Sequence, residues 1–121
     1  MTQHFIAHIL YILESIEQIE EFISDSPQKL NEPVTYRAAL YLVQTLSESA
    51  CKLPDDIKEA HPTVFWKRFS KMRNAIVHDY LGDTSQEEIA YFIKKHLTLL
   101  QAAMEKQLPE WRQLRARLQD D

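Results

Sequence analysis

The chain has 121 residues, 45% of them hydrophobic, which suits one globular domain over 1–121 and excludes a disordered chain. A net charge of -4 excludes a strongly basic nucleic-acid coat protein but leaves room for a local basic patch. One Cys excludes an internal disulfide framework, and one Gly with five Pro leaves too few tight turns for an all-β fold.

The single thiol fits a reducing cytosol. No charged leader precedes an apolar core at the N-terminus, and no stretch approaches the ~18–20 apolar residues of a membrane span. A cytoplasmic protein without a membrane partner is therefore expected.

Residues 2–24 carry Phe5, Ile9, Ile12, Ile16, Ile19 and Ile23 at alternating gaps of four and three, the spacing of a bundle-forming helix. Ile6, Leu10 and Leu13 widen the stripe, so this helix is expected to pack on more than one neighbour. Ser24-Asp25-Ser26-Pro27 ends it, and residues 25–33 read as a loop. A second helix is expected from Glu32 to Leu53, with Pro33 in its first turn, where a missing N–H costs nothing. Leu42, Leu46 and Leu53 line one side of it, beside the small residues Ala38, Ala39, Ser49 and Ala50, which admit a close partner helix. Pro54-Asp55-Asp56 stops it and can start a short helix through Ala60.

His61-Pro62-Thr63 opens a third helix, with a buried stripe expected at Phe65, Phe69, Met72 and Ile76. Gly82 is the expected left-handed terminator. Ser85 and Glu88 form a capping-box pattern for a fourth helix with core positions Ile89, Ile93, Leu97, Leu100, Met104 and Leu108. Pro109 breaks it. A last short helix carries Trp111, Leu114 and Leu118, with Arg112, Arg115 and Arg117 outward as a solvated or partner-facing surface. The expected architecture is all-α, an antiparallel bundle of four main helices with short additional helices.

The chemistry concentrates in Arg73-Asn74-Ala75-Ile76-Val77-His78-Asp79-Tyr80, at the end of the third helix. His78 has the one side chain that gives and takes protons near neutrality. Arg73 is a fixed cation whose planar fork matches a phosphate. RNA brings its own nucleophile, the 2′-hydroxyl, so cleavage needs a base, an acid and positive charge, and no metal. On a regular helix, positions five apart point about 140° away from each other, whereas Asn74 and His78, four apart, share a face. Arg73 and His78 therefore work together only if the helix loosens or if a second chain completes the site. A twofold dimer would set two copies of the motif across one groove.

Each residue also has a plainer reading. Arg73 alone is a surface salt-bridge partner, His78 a cation at a helix C-terminus, Tyr80 a buried aromatic and Asn74 a cap or cross-link. Glu48, mid-helix among small residues, is either an exposed acid or a polar group that orients Arg73 or His78. Lys67, Arg68 and Lys71 are either an RNA-facing patch or a solvated face. His4 and His8 lie one turn apart with no carboxylate between them, so no metal site and no cofactor are expected. Cys51 reads as a small buried residue, His61 as part of the turn before the third helix, and Trp66 and Trp111 as packing or dimer anchors.

The arrangement R-N-x-x-x-H-x-Y resembles the signature of HepT-like toxins of the HEPN superfamily. Leu46-Ser47-Glu48-Ser49-Ala50-Cys51-Lys52-Leu53-Pro54 is similar to that family's second-helix stretch, with Ser47 where the family usually has Gly. His61-Pro62, Trp66 and Gly82 also match, so the resemblance covers roughly residues 38–82. It implies a HEPN-like helical fold and a metal-independent endoribonuclease toxin of a type VII-like toxin–antitoxin pair, working as a homodimer. By position, Arg73 and His78 would be catalytic, while Asn74 would hold the motif's geometry or touch RNA. Tyr80 would accept AMP from a minimal nucleotidyltransferase antitoxin. A competing reading is a non-catalytic HEPN helical dimer that binds a nucleotidyltransferase or a nucleotide.

Overall fold

A computed structural model describes residues 4–23, 26–78 and 84–120. The described chain is helical throughout, with α1 His4–Ile23, α2 Pro33–Cys51, α3 Asp55–Ala60, α4 Trp66–Val77, α5 Gln86–Phe92, α6 Thr98–Gln107 and α7 Trp111–Asp120. Ile93–Leu97 is a π segment. The backbone stays right-handed helical at both of its junctions, so α5, the π segment and α6 form one continuous helix. With that helix counted once, the molecule is the expected all-α antiparallel bundle of four main helices with short additions. Among the described residues no helix is long and apolar enough to cross a membrane.

The α1 stripe forms as expected. Ile9, Ile12, Leu13, Ile16 and Ile19 are all 2% exposed or less, and the helix packs on both α2 and α6. Two polar contacts fix α1 against α2: Tyr11 to Thr45, with hydroxyl oxygens 2.6 Å apart, and His8 Nδ1 to Ser49 Oγ at 3.1 Å. On its other flank α2 carries α4, and Ala39, Ser47 and Ala50 are wholly buried on it. Such small side chains let helix backbones approach closely. Phe69 of α4, also wholly buried, stacks edge-on against Phe92 of α5 with centroids 5.2 Å apart.

The start of α4 is tightly held. The Trp66 indole N–H donates to the carbonyls of Lys58 (3.0 Å) and His61 (3.1 Å). The His61 ring in turn meets the Gln107 amide of α6 at 2.9 Å. His61 therefore serves the turn before α4, as expected, and Trp66 is a packing anchor. The capping box at Ser85 and Glu88 is complete, with both reciprocal bonds at 3.1 Å.

Several expectations are corrected. The loop expected over 25–33 contains a 3₁₀ turn, Pro27–Asn31, which buries Leu30 against Ala39 and Ile89. α4 begins at Trp66 rather than at His61, so Phe65 precedes the first helical residue. Helical spacing does not apply to it, and it is 49% exposed while its neighbour Val64 is buried. Leu118 is exposed near the end of α7, and Cys51 is only half-buried.

The arginine face of α7 is also corrected. Trp111 is 1% exposed, and Arg112 and Arg115 lie over its ring at 4.4 and 4.9 Å. Both arginines also reach Glu17 of α1, Arg115 at 2.6 Å and Arg112 at 3.2 Å. These contacts clamp α7 to the bundle. The hydrogen bond from Arg115 is the main reason the Glu17 carboxyl titrates below its ordinary value. A carboxylate with a depressed folded pKa stabilises the fold above its ordinary value, and that stability is lost as pH falls through the folded pKa. Arg115→Met should therefore cost about 1 kcal/mol in urea unfolding at neutral pH and low salt. The difference from wild type should shrink in high salt and below the carboxylate range. An equal cost at pH 3 would assign the effect to packing on Trp111 alone.

Candidate functional site

The motif lies on the last turns of α4. The helix stays regular to Val77, and His78 caps it with φ -100° and ψ 14°. The His78 backbone N–H still donates to the Asn74 carbonyl at 3.0 Å. No loosening separates the motif residues, so the regular-helix angle of about 140° between Arg73 and His78 stands. The structure instead joins Arg73 to Asn74, with the guanidinium Nε donating to the Asn74 side-chain oxygen at 2.8 Å. Arg73 is half-buried, whereas Asn74 and His78 are exposed. On an ideal helix Lys67, Lys71, Asn74 and His78 fall within an arc of about 60°, facing away from the core residues Phe69 and Ile76. One flank of α4 therefore carries two lysines, an amide and an imidazole in a row, and Arg73 sits on the other.

Asp79, Tyr80 and Gly82 lie outside the described residues, as does the His4 side chain. Glu48 is half-buried on α2, and among the described residues its carboxylate takes no hydrogen bond and no ion pair. The expected link from Glu48 to Arg73 or His78 is not among the contacts of a single chain. Among the described residues no group of three or more His, Cys, Asp or Glu side chains could hold a metal ion.

Beside the lysine-bearing flank is a cleft of about 480 Å³ between the start of α4 and the π segment. Its lining includes Phe65, Arg68, Lys71, Tyr91, Lys95 and His96. A second cleft of about 330 Å³ shares Arg68, Lys71, Tyr91 and His96, and reaches Ala75, one residue past Asn74. The Lys95 ammonium lies over the rings of Phe65 (5.4 Å) and Tyr91 (5.5 Å). His96 is 4% exposed, ringed by Phe65, Phe69, Tyr91 and Phe92, and its Nδ1 has no hydrogen-bond partner among the described residues. Sequence reading passed over His96 because it is polar. Its position seven residues after Ile89, on the same helical stripe, was the available signal.

Burial, with the charges of Lys95 and Arg68, holds the His96 ring below the ordinary histidine pKa of 6.5. The folded state thus prefers the neutral ring. That contribution is complete above pH 6.5 and is lost as pH falls toward the folded pKa. The melting temperature should fall from pH 7 to pH 5, and His96→Phe should flatten that fall. An unchanged slope in the variant would assign the acid sensitivity to other groups.

The chain matches the family model described as HepT-like, ribonuclease HepT-like, over residues 12–107. It is 32% identical over 73 residues to the "Probable ribonuclease HepT" of Thermococcus cleftensis, covering 59% of this chain and 66% of that protein. It is 28% identical over 82 residues to the "Putative RNase TTE0752" of Caldanaerobacter subterraneus, covering 66% of this chain and 67% of the relative. The "Putative RNase MJ0125" of Methanocaldococcus jannaschii aligns over its whole length at 26% identity and covers 88% of this chain. The chain spans about two thirds of the length of the first two of these relatives. No solved structure matches it significantly. The family match embraces all of α2 to α4 and the motif they carry, and the chain belongs to the HepT-like ribonuclease family.

Proposed function

We propose that this protein is a metal-independent endoribonuclease, the toxin of a toxin–antitoxin pair, acting in the cytoplasm as a homodimer. The observation that carries the reading is an intact R-N-x-x-x-H-x-Y motif, with Arg73, Asn74 and His78 at the end of α4, in a HepT-like chain. In the reaction, the ribose 2′-oxygen attacks the adjacent phosphorus, and the bond from phosphorus to the 5′-oxygen breaks. A base takes the 2′-hydroxyl proton and an acid protonates the leaving 5′-oxygen, leaving a 2′,3′-cyclic phosphate and a 5′-hydroxyl. His78 is the proton-transfer group, and Arg73 holds the phosphate and its developing charge.

The regular geometry of α4 supports the dimer. Arg73 and His78 of one chain diverge, so one scissile phosphate meets both residue types most readily between two copies. Two facing copies also supply two imidazoles, one for each proton transfer. Asn74 serves as a positioning residue through its bond to the Arg73 guanidinium. Glu48 acts as a supporting polar group from α2.

Silencing follows from charge. A nucleotidyltransferase antitoxin would transfer AMP from ATP to the Tyr80 hydroxyl, forming a phosphodiester to tyrosine and releasing pyrophosphate. The added phosphate brings negative charge near Arg73 and occupies the path of the RNA.

Wild-type protein should cleave RNA in a chelator-containing buffer and arrest growth when expressed alone. His78→Ala and Arg73→Ala should each lower cleavage by roughly 100-fold or more and relieve the arrest. Equal behaviour of the three proteins would leave the non-catalytic binding module as the correct reading. Co-expression with a candidate minimal nucleotidyltransferase antitoxin should add the mass of AMP to wild type and not to Tyr80→Phe. AMP on the variant would move the modification to another residue.

A further inference from the structure

The proposed chemistry at His78 leaves the cleft beside α4 without a role. Arg68, Lys71 and Lys95 converge on it, and Lys67 stands at its rim. Among the described residues none of these four cations forms an ion pair. Glu88, the carboxylate at the edge of the second cleft, is engaged in capping α5. In a chain of net charge -4, this is a concentrated basic site.

The walls are as informative as the charges. Phe65 and Tyr91 are 49% and 57% exposed, and each presents a ring to the same Lys95 ammonium. Cations interleaved with exposed aromatic faces suit an unpaired nucleic-acid strand, whose bases stack while its phosphates pair. An acidic protein would satisfy the cations but leave the rings without a planar partner. His96 also lines the cleft, and its Nδ1 is a buried polar atom without a partner among the described residues.

The cleft is also in register with the motif. Lys71 and His78 are seven residues apart on one flank of α4, within about 20° of each other and roughly 10 Å apart along the axis. A strand whose phosphate lies at His78 can follow the Lys71–Lys67 flank and turn a base into the cleft.

We propose that the cleft between α4 and the π segment is a subsite for one unpaired nucleotide of the RNA strand that reaches His78. Phe65 and Tyr91 are its stacking faces, and Arg68, Lys71 and Lys95 hold its phosphates. The assignment rests on the ribonuclease reading for its substrate, and it gives that substrate a class: single-stranded RNA.

The test is fluorescence anisotropy of the wild-type full chain with an unpaired RNA of about ten nucleotides, 2′-O-methylated to block cleavage. The same strand annealed to its complement is the control. Wild type should favour the single strand. Phe65→Ala and Tyr91→Ala should each weaken single-strand binding roughly tenfold with little effect on the duplex, and Tyr91→Phe should bind like wild type. Both rings stand outside the core, and unchanged thermal melting will show that the variants fold. Unchanged affinity in both alanine variants would overturn the subsite, as would an equal loss for duplex. Dissociation of the dimer by either variant would overturn it too, since the cleft would then be an interface between copies. Cleavage of unmodified RNA by wild type is scored separately. Ring-dependent binding without cleavage would keep the subsite and remove the nuclease reading, and cleavage with ring-independent binding would do the reverse.

Discussion

The packing of α4 on α2 governs where the motif-bearing helix sits. It is set by the small residues of α2, since Ala39, Ser47 and Ala50 are wholly buried and bring little bulk to the seam. Phe69 can then reach through to Phe92, joining α4 to the α5–α6 helix. A larger side chain on α2 would lift α4 and shift every group it carries. Ser47 exacts a cost at this seam, because its Oγ is buried without a hydrogen-bond partner among the described residues.

α4 is held asymmetrically. At its start the Trp66 indole is bonded to two carbonyls, and the His61–Gln107 contact ties the same corner to α6. At its end Asn74 and His78 are exposed and Arg73 is half-buried. The anchored end fixes the direction of the helix.

The α1 stripe, the capping box and the small-residue seam were legible in the sequence because each depends on local spacing or local chemistry. The motif was legible for the same reason. Phe65 was misplaced because a helical period was carried one residue beyond the helix that obeys it. The clamp of Arg112 and Arg115 on Glu17 and Trp111 joins residues nearly a hundred positions apart, and no local pattern announces such a contact. Leu30 was hidden because a lone apolar residue between prolines has no period to betray it. The cleft was invisible as a whole, since half of it comes from α4 and half from a helix that begins after the motif.

The π segment has a consequence for how the protein can change length. From Ile89 to Leu108 the apolar stripe takes nineteen residues, whereas five turns of a regular α-helix take about eighteen. The bundle therefore carries one residue more than its core requires, absorbed in Ile93–Leu97. Removing Lys95 would return the helix to regular winding with Ile89 and Leu108 still in phase. His96 would keep its register with Leu108, but the ammonium that lies over Phe65 and Tyr91 would be gone. Chain length in this segment is thus free for the bundle and binding for the cleft, so a version shortened by this one residue can keep the fold while losing the cation between the two rings.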